Sequence, residues 1–225
     1  MRRSGNIVRP IVRFLASVLI TSGILMLVDA GLTLAWQEPV SAFLAQQQQD
    51  ALNGELKRDA PQTARDKVAV ASIHDQSKRL ARLAALAKGR ARTGHAIGTI
   101  RLPTLGRHYA IVQGTDTDSL RKGPGHYPDT SFPGMGGTVA IAGHRTTYLA
   151  PFRTIDSLHK GDPIVLDMTY GKFTYTVEMT RVVLPTETSV VNRVPGAERL
   201  VLSACHPLYS ASHRIVVFAR LRSEG

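Results

Sequence analysis

Leu200-Val201-Leu202-Ser203-Ala204-Cys205-His206-Pro207 is the stretch on which the reading of this chain turns. It is an apolar, strand-like run that stops just before a turn-forming proline, and it carries the single cysteine among 225 residues. A lone cysteine forms no internal disulfide, so its thiol is either a small buried hydrophobe or a reactive group. Nine residues on, Arg214 opens a second apolar run, Arg214-Ile215-Val216-Val217-Phe218-Ala219. Upstream, Thr138-Val139-Ala140-Ile141-Ala142-Gly143-His144 is a third run, and it ends in a histidine. A thiol, an imidazole and a guanidinium, each at the margin of a strand, are the parts of a cysteine nucleophile with its base and an anion stabiliser.

Two histidines compete to serve Cys205. Adjacent side chains in a strand point to opposite faces, so His206 is poorly placed to take the thiol proton. His144 lies 61 residues earlier and meets Cys205 only through folding. It shares a strand face with Ala140 and Ala142, whose small side chains leave room for a ligand. Gly143 lets the backbone approach closely. Arg214 stays protonated at pH 7 and is no base. A hairpin return through His206–His213 would set it beside Cys205, where it suits an oxyanion or a substrate carbonyl. Taken singly, His144 reads as a satisfied strand-end histidine and Arg214 as a surface cation. The catalytic reading rests on the three together.

Around these runs the texture is that of short strands. Periodicity predicts strands over 96–102, 109–113, 138–142, 163–168, 172–184, 199–204 and 214–221. Phe173, Tyr175 and Val177 alternate with Thr174, Thr176 and Glu178. One helical turn over 116–120, capped by Asp116, and a short helix within 150–158 are the helical signals. The stretches 122–129 and 132–137 are loops by their Gly and Pro content. Many short strands with little helix predict a mainly β domain, a closed barrel or a sandwich, over 96–225.

The N-terminal part differs. Phe14 to Val28 carries no charge, Asp29 interrupts, and Ala30 to Trp36 is again apolar. A bilayer core needs about 20 apolar residues of helix. Residues 14–36 therefore read as an uncleaved transmembrane signal-anchor rather than a cleaved secretory signal, whose apolar core is shorter. Arg2, Arg3, Arg9 and Arg13 make 1–13 a basic tail, and the first lysine after the span is Lys57. That asymmetry places the N-terminus in the cytoplasm and the rest outside, with Trp36 at the outer interface. Residues 37–95 read as a basic stalk. Gln46–Gln49 is a short polyglutamine stretch, and Leu80, Leu83, Leu86 and Ala87 share one face at helical spacing. The stretch is a solvated spacer kept extended by its charges, or a basic helix lying on anionic headgroups or wall polymers.

The chain holds 28 Lys and Arg against 17 Asp and Glu, a net charge of +11. Residues 1–95 have 14 basic and 7 acidic side chains, and residues 96–225 have 14 and 10. The excess thus lies mostly outside the β domain, behind a membrane segment, and nucleic acid is not the expected partner. The eight histidines are scattered and one thiol exists, so no metal site is expected, and no Gly-rich phosphate motif opens a helix.

The residues resemble the sortases, cysteine transpeptidases of Gram-positive cell surfaces, over roughly 96–225 and in the N-terminal anchor. The family's cysteine strand, Thr-Leu-x-Thr-Cys, is matched here at Leu202 and Cys205, with Val201 and Ala204 in place of the threonines. Lys122-Gly-Pro-Gly-His-Tyr-Pro-Asp-Thr130, Val139-Ala-Ile-Ala-Gly-His-Arg-Thr-Thr-Tyr148 with Pro151-Phe152, and Cys205-His-Pro207 with Ser210-Ala211 and Arg214 are similar to the class E subgroup of actinobacteria. The resemblance implies a closed sortase-type β-barrel with short helices and no cofactor. It implies Cys205 as nucleophile, His144 as acid/base and Arg214 as transition-state stabiliser. Tyr127, Ala204 and His206 become the substrate-binding candidates, Tyr127 matching a tyrosine associated with preference for Leu-Ala-x-Thr-Gly over Leu-Pro-x-Thr-Gly. The implied substrates are secreted proteins bearing a C-terminal sorting signal, cleaved between Thr and Gly and passed to a peptidoglycan-precursor or pilin amine. A cysteine endopeptidase or amidase with the same dyad, and a membrane-tethered wall-binding module with Cys205 as packing, are the other readings.

Overall fold

The computed structural model describes residues 8–35, 39–194 and 196–224. The chain divides into two compact units between Val40 and Ser41. The first holds helix α1 (Val8–Ala35). Its run Arg9–Leu32, 24 residues, is long and apolar enough to cross a membrane by length and composition. At 1.5 Å per residue it extends about 36 Å, against a hydrocarbon core of about 30 Å. Phe14, Leu19, Met26 and Leu27 are exposed along it, as a lipid-facing helix requires. Arg2, Arg3 and Trp36, expected to orient and anchor this segment, lie outside the described residues.

The second unit is an eight-stranded closed barrel with helices against it. Its strands are β1 (Ala96–Leu102), β2 (Arg107–Gln113), β3 (Gly125–His126), β4 (Thr138–Ala142), β5 (Pro163–Met168), β6 (Gly171–Val183), β7 (Arg199–His206) and β8 (His213–Glu224). Around the barrel the order is β1-β2-β3-β4-β7-β8-β6-β5. The β2–β3 and β4–β7 pairs are parallel and the other pairs antiparallel. Closure removes most of the edges that an open sheet would expose, and the two-residue β3 leaves the rest of β2 unpaired on that flank. The predicted strands are all present. β3 is the addition: it is two residues long inside a Gly- and Pro-rich loop, too short to show a period of two.

Two apolar layers explain why β4, β7 and β8 read as unbroken hydrophobic runs. Val139, Ile141, Leu200, Leu202, Ile215 and Val217 point inward with Ile100 and Phe173. Ala140, Val201, Val216 and Phe218 form a second cluster on the other face, with Val183. A strand covered on both faces has no polar side to alternate. β6 is the contrast, since Phe173, Tyr175 and Val177 are buried while their neighbours are not.

Helices α2 (Pro39–Ala69) and α3 (Gln76–Arg90) occupy much of the stretch 37–95 expected as a basic stalk. Asp75 caps α3, its side chain accepting from Lys78 N at 3.0 Å. Leu80, Leu83 and Ala84 are buried in the same cluster as Phe132 and Tyr170, with Leu86 and Ala87 packed at its margin. The apolar face of α3 is spent on protein and is not free to enter headgroups. α2 escapes a periodicity reading because polar residues are prominent among its buried positions: Gln49, Thr63 and Asp66 beside Ala45 and Leu52. Gln49 behaves like a residue of a neighbouring strand. Its Oε1 accepts from Ala110 N at 2.7 Å, and its Nε2 donates to Ala110 O at 3.2 Å and Lys122 O at 2.7 Å. Arg90 of α3 pairs with the carboxylate of Asp66 and ties the two helices together.

Candidate active site

Cys205 sits near the end of β7, and the antiparallel β7–β8 ladder pairs it with Arg214. The hairpin turn over 207–212 makes that register, with Ser210 N donating to Pro207 O at 3.0 Å. β4 runs parallel to β7 on the other side, and Ala142 pairs with Ser203. Gly143 N donates to Ser203 O at 3.0 Å, so continuing the ladder brings His144 level with Cys205. Alternation fixes the faces. Val201 and Ala140 lie in the outer cluster, and Cys205 and His144 follow them at even spacing. Arg214 follows Val216 and Phe218 in the same way. Thiol, imidazole and guanidinium thus share one face at the ends of three neighbouring strands.

The other candidates divide. Tyr127 packs at the edge of the outer cluster, and its hydroxyl is 3.0 Å from Ser203 Oγ, two residues from Cys205. Ala204 points the other way, into the barrel core at 4 % exposure, so only its backbone is available to a substrate. His206 also turns away from Cys205: its Nδ1 is 3.3 Å from Nη1 of the buried Arg145. Arg145 is held in turn by Arg153 O, at 2.9 Å from Nη2, and by Asp156 at 2.7 Å.

His144 is set by the segment that follows it. Phe152 N donates to His144 O at 3.0 Å, closing a loop back onto the strand end. The Phe152 ring fills the space beside Gly143, where a Cβ would lie 2.5 Å from Cδ2. Within that loop Tyr148, Leu149 and Ala150 all have positive φ, at 50°, 65° and 40°. Such a run is sterically costly for residues with a Cβ, and the packed Phe152 and Ala150 hold it in place. The Tyr148 ring lies 5.3 Å from the imidazole of His144. His144 Nε2 is buried with no hydrogen-bond partner among the described residues. Burial, and then the charge of Arg121, hold the pKa of His144 below its ordinary value. Both causes favour the neutral imidazole.

Arg214 Nη1 donates to Ala211 O and to His213 O, both at 3.0 Å. Among the described residues no carboxylate pairs with it, so its charge is available to a developing oxyanion. Behind Tyr127, His126 is a structural histidine. Its Nε2 lies 3.0 Å from Ser131 O and 3.1 Å from Thr130 Oγ1, and its Nδ1 lies 2.9 Å from Gln113 Oε1. Burial pushes the His126 pKa down to about 4. Sequence reading missed Ser203, Tyr148 and Arg121. None has a local signal, because each matters only through a contact made in the fold.

A family model described as Sortase domain matches residues 100–222. Sortase D of Bacillus subtilis (strain 168) is 36% identical over 131 residues, 57% of this chain and 65% of that protein. Sortase SrtE2 of Streptomyces coelicolor is 29% identical over 239 residues, 98% of this chain and 85% of that protein. The chain covers a smaller share, 42%, of Streptomyces coelicolor SrtE1. It thus spans less than two thirds of the length of Sortase D and of SrtE1. Among solved structures, sortase E from Streptomyces avermitilis aligns with a TM-score of 0.55 and 34% identity, over 60% of this chain and 92% of that one. Sortase E1 from Streptomyces coelicolor, solved with a tripeptide in its active site, aligns at TM-score 0.56 and 28% identity, over 60% of this chain and 93% of that one.

Proposed function

The chain belongs to the sortase family, and we propose that it is a class E-like, membrane-anchored cysteine transpeptidase acting at Cys205, His144 and Arg214. The observation that carries this reading is the shared face. The β7–β8 hairpin sets Cys205 opposite Arg214, and the parallel β4–β7 register, carried two residues past Ala142, brings His144 level with them. The apolar span that starts at Phe14, within the helix run Arg9–Leu32, serves as anchor, with the basic residues before it cytoplasmic and the domain over 96–225 outside the cell.

Neutral His144 takes the proton of the Cys205 thiol, and the resulting thiolate attacks the Thr carbonyl carbon in the sorting signal of a secreted protein. The carbonyl electrons move onto oxygen, where Arg214 and backbone N–H groups hold the charge. The C–N bond to Gly then breaks, and the imidazolium of His144 gives its proton to the leaving amine. What remains is a thioester on Cys205. An acceptor amine, from a peptidoglycan precursor or a pilin lysine, attacks that carbonyl while neutral His144 takes its proton. The thiolate leaves and a new amide is formed. Tyr127, partly buried at the margin of the outer cluster, is the candidate to meet the apolar residues of the signal.

The test is intact-mass spectrometry of the full chain in detergent, mixed with a Leu-Ala-x-Thr-Gly peptide and a glycine-based amine. The expected result is an adduct on Cys205 that converts to a Thr–amine product. Cleavage without amine transfer makes the chain an endopeptidase, and no adduct with either a Leu-Ala or a Leu-Pro signal removes the reading.

A further inference from the structure

We infer that Arg121 forms an acceptor subsite: a guanidinium that receives a carboxylate carried close to the attacking amine. The inference rests on the role proposed for His144 and adds the chemical class of the second substrate.

Arg121 lies in the last turn of the short helix α4 (Thr117–Lys122), which Asp116 caps by accepting from Ser119 N at 3.0 Å. The two cations of that turn part company. Lys122 Nζ donates to Gly94 O at 2.9 Å, away from His144. Arg121 instead brings its Cζ to 6.0 Å from the centre of the Tyr148 ring, and that ring lies 5.3 Å from the His144 imidazole. Tyr148 thus neighbours both the guanidinium and the imidazole, and it is held there by a backbone in the left-handed region. Core packing does not account for the position of Arg121. Its side chain is 53% exposed, and it pairs with Asp118, which is 84% exposed and three residues away. Such a pair is weak and readily exchanged.

Placed there, the cation works against the chemistry when no partner is bound, because it opposes protonation of the imidazole beside it. The acceptor step is when that protonation must happen: the amine nitrogen bonds to the thioester carbon, and its proton passes to His144. An acceptor that brings a carboxylate to Arg121 neutralises the opposing charge in the same event. The favoured acceptor is therefore an amino acid or short peptide whose own carboxylate lies near its amine.

The experiment compares diglycine with diglycinamide as acceptors for the full chain in detergent. The two differ by one carboxylate. Wild type should favour diglycine by about fivefold in kcat/KM, the effect of one half-exposed ion pair, and Arg121→Gln should bring the ratio to about one. Equal use of both amines by wild type, or a preference that survives in Arg121→Gln, overturns the inference. A second measurement needs no thioester. Chemical-shift titration of Cys205→Ala protein should show the same preference for diglycine, lost in the Cys205→Ala/Arg121→Gln double variant, and equal binding overturns the subsite. Absence of any Cys205 adduct in wild type would strike the transpeptidase reading instead, and the titration would still decide on Arg121.

Discussion

Cys205 and Arg214 are opposite one another in the β7–β8 ladder, so the hairpin turn between them fixes the thiol and the guanidinium in a single register. Arg214 is further braced by the carbonyls of Ala211 and His213 within the same turn. A planar fork held this way presents its remaining N–H groups in a set direction. Lysine keeps the charge but loses the fork. Arg214→Lys should slow formation of the Cys205 adduct by up to roughly 100- to 1,000-fold, the range of a lost oxyanion ligand. Near-wild-type acylation by that variant would take Arg214 out of the mechanism. Cys205→Ala should give no adduct at all by intact mass.

Gly143 separates β4 from His144 and lies against the ring of Phe152, itself fully buried. Alanine there places a Cβ at 2.5 Å from ring carbon Cδ2. Overpacking of this kind costs about 1–3 kcal/mol. Gly143→Ala should lower the Tm by several degrees and reduce acylation more than stability alone explains, because the clash moves the backbone that carries His144. An unchanged Tm would mean that Phe152 has room to turn.

Gln49 is 4 % exposed and satisfies both backbone groups of Ala110 on the edge of β2. Removing the amide leaves a buried N–H and C=O without partners, at about 1–3 kcal/mol for such a group. Gln49→Ala should destabilise the unit comprising the barrel and α2 by an amount in that range, measured by urea unfolding. Wild-type stability would show that α2 does not seal the β2 edge in solution.

His126 carries a pH prediction. Its pKa is about 6.5 in an unfolded chain and about 4 when folded, chiefly through burial. Between those values the unfolded chain binds the extra proton, so stability is flat above pH 6.5 and falls as pH drops toward 4. The loss is on the order of 3 kcal/mol. His144 is depressed in the same direction and adds to it. His126→Gln should flatten this acid limb in unfolding curves taken from pH 7 to pH 4. An identical slope in the variant would place the acid sensitivity elsewhere.

Tyr127 and Ser203 share a hydrogen bond of 3.0 Å two residues from Cys205. Tyr127→Phe removes it at a cost of about 1 kcal/mol. Turnover of Leu-Ala-x-Thr-Gly should fall relative to Leu-Pro-x-Thr-Gly. A selectivity ratio that does not move would leave Tyr127 as packing for Val190 and Val191 alone.

Much of the barrel is legible in local pattern alone. The strands at 138–142, 163–168 and 172–183 end within a residue or so of where that pattern puts them, because Gly and Pro mark their limits. The opposite faces of Cys205 and His206 follow from strand alternation, and His206 does turn to Arg145. α3 is visible in the spacing of Leu80 and Leu83, but what that face packs against is not. α2 is hidden, since Gln49, Thr63 and Asp66 are buried without being hydrophobic.

Sequence alone thus determined a long apolar N-terminal span, a strand-rich C-terminal part, and a thiol, an imidazole and a guanidinium each at a strand margin. These depend on nearest neighbours, on a period of two or 3.6, and on residue chemistry, all of which are written locally. Tertiary structure decided which groups meet. It paired Cys205 with Arg214, set His144 level with them across a parallel ladder, turned Ala204 into the core, and made Tyr148 a neighbour of both Arg121 and His144. Those contacts join residues that are far apart in the chain, and their register is fixed by barrel closure and core packing, which no local pattern encodes.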